Sequence, residues 1–459
     1  MYKISQSIVL LIFIFIHISC KEDLNIPPPD EEENLENEYE QYATPFEEIP
    51  ETQDVIMYEV NLRAYSPEGN IQGVIDKLDH IESLGINVIW LMPIHPDGEE
   101  NSVNSPYAVR DYKAVGSEYG SLEDLRKLTD EAHARGMAVI MDWVANHTAW
   151  DNNWIQNKSW YSQDANGNII HPPGTNWEDV ADLNFDNEEM RAAMVDAMKY
   201  WLLEANVDGF RCDYADGVPF DFWQEAWQNL DSIPNREFIY FAEGTRDDHF
   251  SAGFDLNFSW QFYDAVKQDF NNPTAGKILE VDENEKAETP ENKSWVRFTT
   301  NHDESAWDAT PISLFNGMEG ALAASVATIF TGGVPLIYGS QEVGIPNTIP
   351  FFSNSSINWD NNPEMLYTYR SVLQFYSNSA VARRGENTVF PHKNVLCFKK
   401  SLNDEDIFVI VNLTNNSVNF TLPTEIVGFE GTSLFSGGTF TLGEFLILSP
   451  YQFYILQPI

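Results

Sequence analysis

The sequence predicts an α/β fold built as a closed (β/α)8 barrel, with a small subdomain inserted after the third strand and an antiparallel β-sandwich at the C-terminal end. Three observations carry that expectation. From residue 55 onward, apolar runs of strand length alternate with amphipathic runs of helix length, the pattern of parallel strands joined by crossover helices. Eight such strand-length runs occur before residue 340, the number that closes a barrel. Beyond Arg384 the helical period gives way to short alternating runs.

The predicted strands are Val55–Asn61, Ile86–Met92, Ala138–Trp143, Val207–Asp213, Phe238–Glu243, Phe254–Asn257, Trp295–Thr300 and Val334–Gly339. Helices are predicted at Ile71–Leu84, Leu122–Ala134, Glu188–Glu204, Phe220–Leu230, Ser259–Gln268, Ser313–Phe330 and Pro363–Tyr376. Gly85 and Gly136 follow two of these helices, where a left-handed residue ends the last turn. The helix between the fifth and sixth strands must be short.

Residues 148–187 separate the third strand from its helix and contain Pro172-Pro173-Gly174 with four tryptophans, Trp150, Trp154, Trp160 and Trp177. A loop this long in a compact domain is usually functional, so it reads as a subdomain over the C-terminal mouth of the barrel. The barrel then spans 55–383. Runs such as Val395–Lys399, Asp406–Val411, Val418–Leu422 and Phe445–Leu448 assign 384–459 to the sandwich.

Met1–Ser19 reads as an export signal: one charge at Lys3, an apolar run Ile8–Ile16 too short to span a bilayer, then small or polar residues before Cys20. His17-Ile18-Ser19-Cys20 resembles a loose bacterial lipobox, which makes Cys20 the lipidated mature N-terminus and membrane anchor; simple secretion is the alternative. Residues 20–54, with Pro27-Pro28-Pro29 and an acidic tract from Asp30 to Glu51, have little that could pack and are expected to form a solvated tether. The start Cys20-Lys21-Glu22-Asp23 also resembles the signal that sends some Gram-negative lipoproteins to the outer face of the outer membrane, against the reading of a featureless acidic linker.

The formal charge of −45, from 71 acidic and 26 basic residues, argues against a nucleic-acid partner, whose binding needs clustered Lys and Arg. Cys212 and Cys397 lie inside apolar runs and read as two buried reduced thiols, with a bridge between them as the alternative; no zinc spacing occurs. The chain is expected to be a monomer.

Four blocks put polar groups at the ends of successive strands: DWVANH (Asp142–His147), GFRCD (Gly209–Asp213), FAE (Phe241–Glu243) and FTTNHD (Phe298–Asp303). Period-two alternation turns Gly209, Arg211 and Asp213 to the barrel interior and Phe210 and Cys212 to the helices. A guanidinium beside Asp213 favours the ionised acid, as a nucleophile requires; a buried structural ion pair is the other reading of that strand alone. Strand C-termini are where active sites lie in barrels of this kind, and several strands point polar groups there.

In order and spacing, these blocks resemble the motifs of the α-amylase family, glycoside hydrolase family 13. VADLNF (Val180–Phe185), Ser105–Tyr112 and Gly333-Val334-Pro335 are similar to further family segments, and the likeness covers roughly residues 55–380. It implies a TIM barrel that cleaves α-glucans, with Asp213 as nucleophile, Glu243 as general acid and base, and Asp303 as the carboxylate that grips sugar hydroxyls. Neighbouring carboxylate charges would keep Glu243 an acid. It also implies that His147 and His302 bond sugar hydroxyls and that Tyr107 stacks on the sugar, with Arg211 beside the nucleophile. The tryptophans of the insertion become sugar platforms or the subdomain's own core.

The one cofactor the resemblance brings is Ca2+, through Asn146, but Asn184 stands where many relatives carry an acid, so that site has lost at least one charge. Ala215-Asp216-Gly217 replaces the Lys-His that amylases often carry after the nucleophile, so recognition beyond the cleaved bond differs. Three activities follow: an α-1,4-glucan hydrolase acting on starch or maltooligosaccharides; an exo-acting α-glucosidase or transglycosylase; and a silent sugar-binding member, which the presence of all three carboxylates disfavours.

Overall fold

The computed structural model describes residues 39–435 and 438–459. The expected export signal and Cys20 lie outside the described residues. Eight parallel strands close into a barrel in chain order: β1 Met57–Val60, β2 Val88–Leu91, β3 Ala138–Val144, β4 Gly209–Asp213, β5 Ile239–Ala242, β6 Leu256–Phe258, β7 Ser294–Arg297 and β8 Val334–Tyr338. Each lies within, or one residue beyond, the span predicted for it.

Alternation along these strands builds two cores. Inward residues such as Met57, Val88, Trp90, Ile140, Phe241, Leu256, Phe258 and Leu336 fill the barrel. Outward residues such as Tyr58, Ile89, Val139, Phe210, Cys212 and Ile337 pack under the helices. Cys212 and Cys397 are both buried and free, as expected. Gly209 opens β4 at φ 147°, and a Cβ there would lie 2.0 Å from the carbonyl oxygen of Ile239, so only glycine lets β4 and β5 pair at this point.

Helices cover the barrel at Leu122–His133, Glu188–Glu204, Phe220–Leu230, Trp260–Asn271, Met318–Thr331 and Pro363–Asn378. Ser121 and Asp124 form a reciprocal capping box, and Asn187 caps the next long helix through Met190 N. Gly85 and Gly136 take positive φ, as predicted. The expected helix 71–84 is two short helices, Ile71–Ile75 and Leu78–Ser83, because Lys77 at φ −116° leaves helical geometry. The short element after β5 is His249–Ala252, and an unpredicted helix, Gly276–Glu288, precedes β7.

The last part of the segment expected to be a solvated tether is seated on the barrel. Residues 39–54 lie against the barrel: Tyr39 bonds Asp196, Phe46 stacks on His133 at 4.5 Å, and Phe46 and Ile49 pack against the inner barrel cluster. Asp54 receives Arg383 Nε at 2.9 Å and Arg384 Nη2 at 2.6 Å. A few aromatic and apolar side chains, with Asp54, seat a stretch whose glutamates face water.

The C-terminal domain is a six-stranded antiparallel sheet faced by the pair Val418–Thr421 and Phe445–Leu448. Val395, Cys397, Phe408 and Ile410 fill the space between the sheets, while Leu396, Phe398, Val409 and Val411 turn to the barrel side. Among the described residues, no helix is long and apolar enough to cross a membrane.

Candidate active site

Arg211 is the hub of the barrel mouth. Strand register sets Arg211 beside Asp142 on β3 and Phe241 on β5. Its Nη1 donates to Asp142 Oδ1 at 2.7 Å and to Asp213 Oδ1 at 3.1 Å, and its Nη2 lies 2.8 Å from Glu243 Oε2. The guanidinium is fully buried and sits 4.9 Å from the Trp90 ring, so packing as well as charge fixes its plane. Trp90 Nε1 and the Tyr107 hydroxyl both donate to Asp142 Oδ2, at 3.2 and 3.1 Å. Asp142 thus anchors Arg211 from below, and the two carboxylates above it reach the cleft.

That cleft, about 590 Å³, is lined by Asp213, Glu243 and Asp303 together with Tyr107, His147 and His302. Three carboxylates predicted from separate motifs therefore share one cavity. Glu243 is held by its loop partner: Tyr214, at φ 41°, donates its N–H to Glu243 Oε2 at 2.8 Å, and Ala215 N donates to the Glu243 carbonyl at 2.8 Å. Asp303 opens the helix His302–Trp307, which Asn301 caps through Glu304 N at 2.9 Å.

Burial pushes the Asp213 carboxyl well above the usual carboxylate range; Arg211 opposes this, and Glu243, Asp142 and Asp303 reinforce it. Arg211, expected to favour the ionised form of Asp213, does pull that carboxyl down, but burial and the neighbouring carboxylates outweigh it.

The sugar-binding candidates are placed differently from one another. His147 is buried, its Nδ1 facing Asn146 Nδ2 at 3.2 Å, and burial lowers it to about 4, so it is a neutral imidazole. His302 has both ring nitrogens engaged by protein: Nδ1 with Glu59 Oε1 at 2.5 Å, Nε2 with the Tyr107 hydroxyl at 2.8 Å and Asp303 Oδ2 at 3.5 Å. The Tyr107 ring stacks on His302, with centroids 5.5 Å apart. Burial holds the Tyr107 hydroxyl well above its ordinary value, so it stays protonated and donates to Asp142.

The tryptophans of the insertion divide between the two readings. Trp154 and Trp160 pack on each other and Trp154 on Tyr112, forming subdomain core, whereas Trp177 lines the cleft beside His147 and Tyr214. The subdomain is pinned by His147–Ala149 pairing with Val180–Asp182, inside the block VADLNF.

Of the residues offered for calcium, Asn184 is already engaged within its own loop. Calcium takes 6–8 oxygen ligands. Asn184 spends its carboxamide within the loop, donating to Ser159 O at 3.2 Å and accepting from Asp186 N at 3.1 Å, and the Asn146 carbonyl accepts from Leu183 N. Among the described residues, no cluster of three or more His, Cys, Asp or Glu could hold a metal.

Sequence reasoning missed Glu59, Trp90, Tyr214, Phe351 and Trp307. Glu59 carried a signal, being the lone charge in the apolar run Val55–Val60. Tyr214 and Trp90 carried none that periodicity reads.

A family profile described as the catalytic domain of alpha amylase matches residues 37–169 and 174–385, and one described as the C-terminal domain of maltogenic amylase matches 388–455. Alpha-amylase MalA of Haloarcula japonica is 27% identical over 420 residues, 86% of this chain and 60% of that protein. Alpha-amylase 3 of Dictyoglomus thermophilum is 25% identical over 89% of this chain and 94% of its own length. The crystal structure of an alpha-amylase from Lactobacillus plantarum superposes with a TM-score of 0.79 at 26% identity, covering 89% of this chain and all of that one.

Proposed function

The chain belongs to the α-amylase family, glycoside hydrolase family 13, and from that membership we propose that it cleaves α-1,4-glucosidic bonds of starch or maltooligosaccharides with retention, through a covalent glycosyl-enzyme. The observation that carries this reading is that Asp213 and Glu243 sit on the two terminal nitrogens of one buried guanidinium, with Asp303 in the same cleft. Retaining hydrolysis needs two carboxyl groups about 5–5.5 Å apart, one bare and one protonated.

In the proposed cycle Asp213 Oδ attacks the anomeric carbon as the bond to the glycosidic oxygen breaks. Glu243 gives its proton to that departing oxygen. Its Oε2 is occupied by Tyr214 N–H and Arg211, so the proton is carried on Oε1. The Glu243 carboxylate then takes a proton from water, whose oxygen attacks the same carbon and releases Asp213. Asp303 grips hydroxyls of the sugar being transferred, and charge developing on its ring is met by the carboxylates around Arg211. His302 fixes Tyr107 and Asp303 in place, while His147 offers a neutral ring at the wall.

Incubation with soluble starch, maltoheptaose, pullulan and isomaltose, following products and their anomeric form, tests this reading. Mixed maltooligosaccharides with initial α-anomers support it. Glucose alone would favour the exo-acting glucosidase, and initial β-anomers would overturn retention. For the N-terminal segment we propose export with lipidation at Cys20 and display on the outer membrane. The support is the lipobox-like sequence. Fatty-acid labelling that is equal in wild type and Cys20→Ser would refute it.

A further inference from the structure

Aromatic side chains form a continuous path along the cleft, separate from the His147–Trp177–Tyr214 ring contacts beside Glu243. Tyr107 and His302 make the floor. Phe351 meets both edge-on, with centroids at 6.0 and 5.1 Å. Trp307 meets Phe351 at 5.8 Å and Phe352 at 5.6 Å, again edge-on. All of these line the one cavity, and Trp307 is 67% exposed within it, on the helix that begins with His302 and Asp303.

The path rests on a rigid base. Arg63 Nη1 donates to the carbonyls of Asn104, at 2.7 Å, and Phe351, at 2.9 Å, and Asn104 Nδ2 bonds the carbonyl of Phe352. The loops after β2 and β8 are thereby tied together under the aromatic rings. Trp307 rests edge-on against the braced rings of Phe351 and Phe352 and presents its faces to solvent.

Chemistry gives the path a direction. A proton donor stands beside the oxygen that departs, so the leaving sugar lies toward Glu243, Tyr214 and Trp177. The sugar being transferred lies over Asp213, Tyr107 and His302. The next sugar on the non-reducing side then falls over Phe351 and Trp307. A pyranose offers a face of C–H bonds, which packs against the electron-rich face of an indole.

We infer that Trp307, seated on Phe351 and Phe352, is the stacking platform for glucose units on the non-reducing side of the cleaved bond, so that the enzyme prefers donors with two or more units there over a single terminal glucose. The inference rests on the glucan-hydrolase reading above, and it separates that reading from an exo-acting glucosidase.

The 4-nitrophenyl α-glycosides of glucose, maltose and maltotriose hold the leaving group constant while the donor grows. For wild type, kcat/KM is expected to rise about tenfold or more from glucoside to maltotrioside, a difference of about 1.4 kcal/mol. Trp307→Ala should cut that ratio about fivefold, and Trp307→Phe, which keeps an aromatic face, should restore most of it. A wild-type preference for the glucoside, or a ratio unchanged by Trp307→Ala, would overturn the inference. Calorimetric titration of maltotriose into Asp213→Asn protein reads binding without turnover; there Trp307→Ala should weaken affinity about fivefold, and equal affinity would again overturn it. If maltotriose binding depends on Trp307 but no glycoside is cleaved, the platform stands and the hydrolase reading fails.

Discussion

Glu59 Oε1, near the end of β1, faces His302 Nδ1 at 2.5 Å and His302 N at 3.3 Å. Burial disfavours the imidazolium, but Asp303 and Glu59 outweigh it and hold His302 up to about 9. Burial also raises Glu59, so the pair shares a proton and titrates as a unit. With both ring nitrogens protonated, His302 donates to Glu59 on one side and to Tyr107 on the other, and Tyr107 donates in turn to Asp142.

Glu59→Gln should therefore move the alkaline limb of kcat/KM down from near pH 9, since the amide no longer holds the charge and Asp303 alone is left to do so. A limb that stays in place would remove His302 as the group responsible. The same pair affects stability. A folded value of about 9 against about 6.5 unfolded gives a contribution fully present below pH 6.5 and lost as pH rises through 9.

Glu243→Gln keeps the shape of the acid and removes its proton. On maltooligosaccharides kcat should fall by roughly 10²–10⁴-fold, the usual weight of general acid–base help. On 4-nitrophenyl glycosides, whose leaving group departs without a proton, the glycosylation step should be affected far less. Equal losses on both substrates, measured by single-turnover kinetics, would mean that Glu243 is not the acid.

The parts of this architecture legible in the sequence are those governed by short-range periodicity. Alternation in GFRCD turns Arg211 and Asp213 inward and Cys212 outward, which is how the strand lies in the barrel. Helix Gly276–Glu288 escaped because its buried face is Ile278 with Asp282 and Glu285, two acids that pair with Arg297 instead of forming an apolar stripe. Residues 39–54 escaped because composition averages over a segment, while seating depends on a few side chains such as Tyr39 and Phe46. Glu59 and Trp307 act through neighbours hundreds of residues away or across loops, and periodicity carries no information about such pairings.

Asp216 ties the loop after Glu243 to the loop after Asp213. Its carboxylate accepts from Thr245 N at 2.9 Å, Thr245 Oγ1 at 2.8 Å, Arg246 N at 3.1 Å and His249 Nε2 at 2.7 Å. Burial acts against the charge, yet the bonds from His249, Thr245 and Arg246 pull its carboxyl well below the usual range. Asp216→Ala should cost about 1–3 kcal/mol at neutral pH, as unsatisfied donors are left behind. Because the folded value is depressed, the difference from wild type should be full above pH 4 and shrink as pH falls below it. Urea unfolding at pH 7 and pH 3 checks both statements. If the clasp also positions Glu243, kcat should fall more than KM rises.

Lys400 supplies a slope opposite to that of His302. It is 1% exposed, on the sheet of the C-terminal domain, and its Nζ donates to the carbonyl of Phe330 at 3.3 Å. Burial, helped by the charges of Lys286 and Arg297, lowers it to about 7. The unfolded chain holds this proton up to about pH 10.4, so between pH 7 and 10 the unfolded state binds more protons and stability rises with pH. Over that same interval His302 loses its contribution, so wild type should show a shallow net profile between pH 7 and 9. Replacing the ammonium by a thioether of similar length, Lys400→Met, should stabilise the protein at pH 7 and leave only the falling limb of His302 by pH 9. Glu59→Gln, which leaves Asp303 beside His302, should weaken the falling limb so that the rising limb of Lys400 dominates. Denaturant midpoints of the two variants that respond to pH with the same sign would contradict the assignment of these opposed protons to Lys400 and His302.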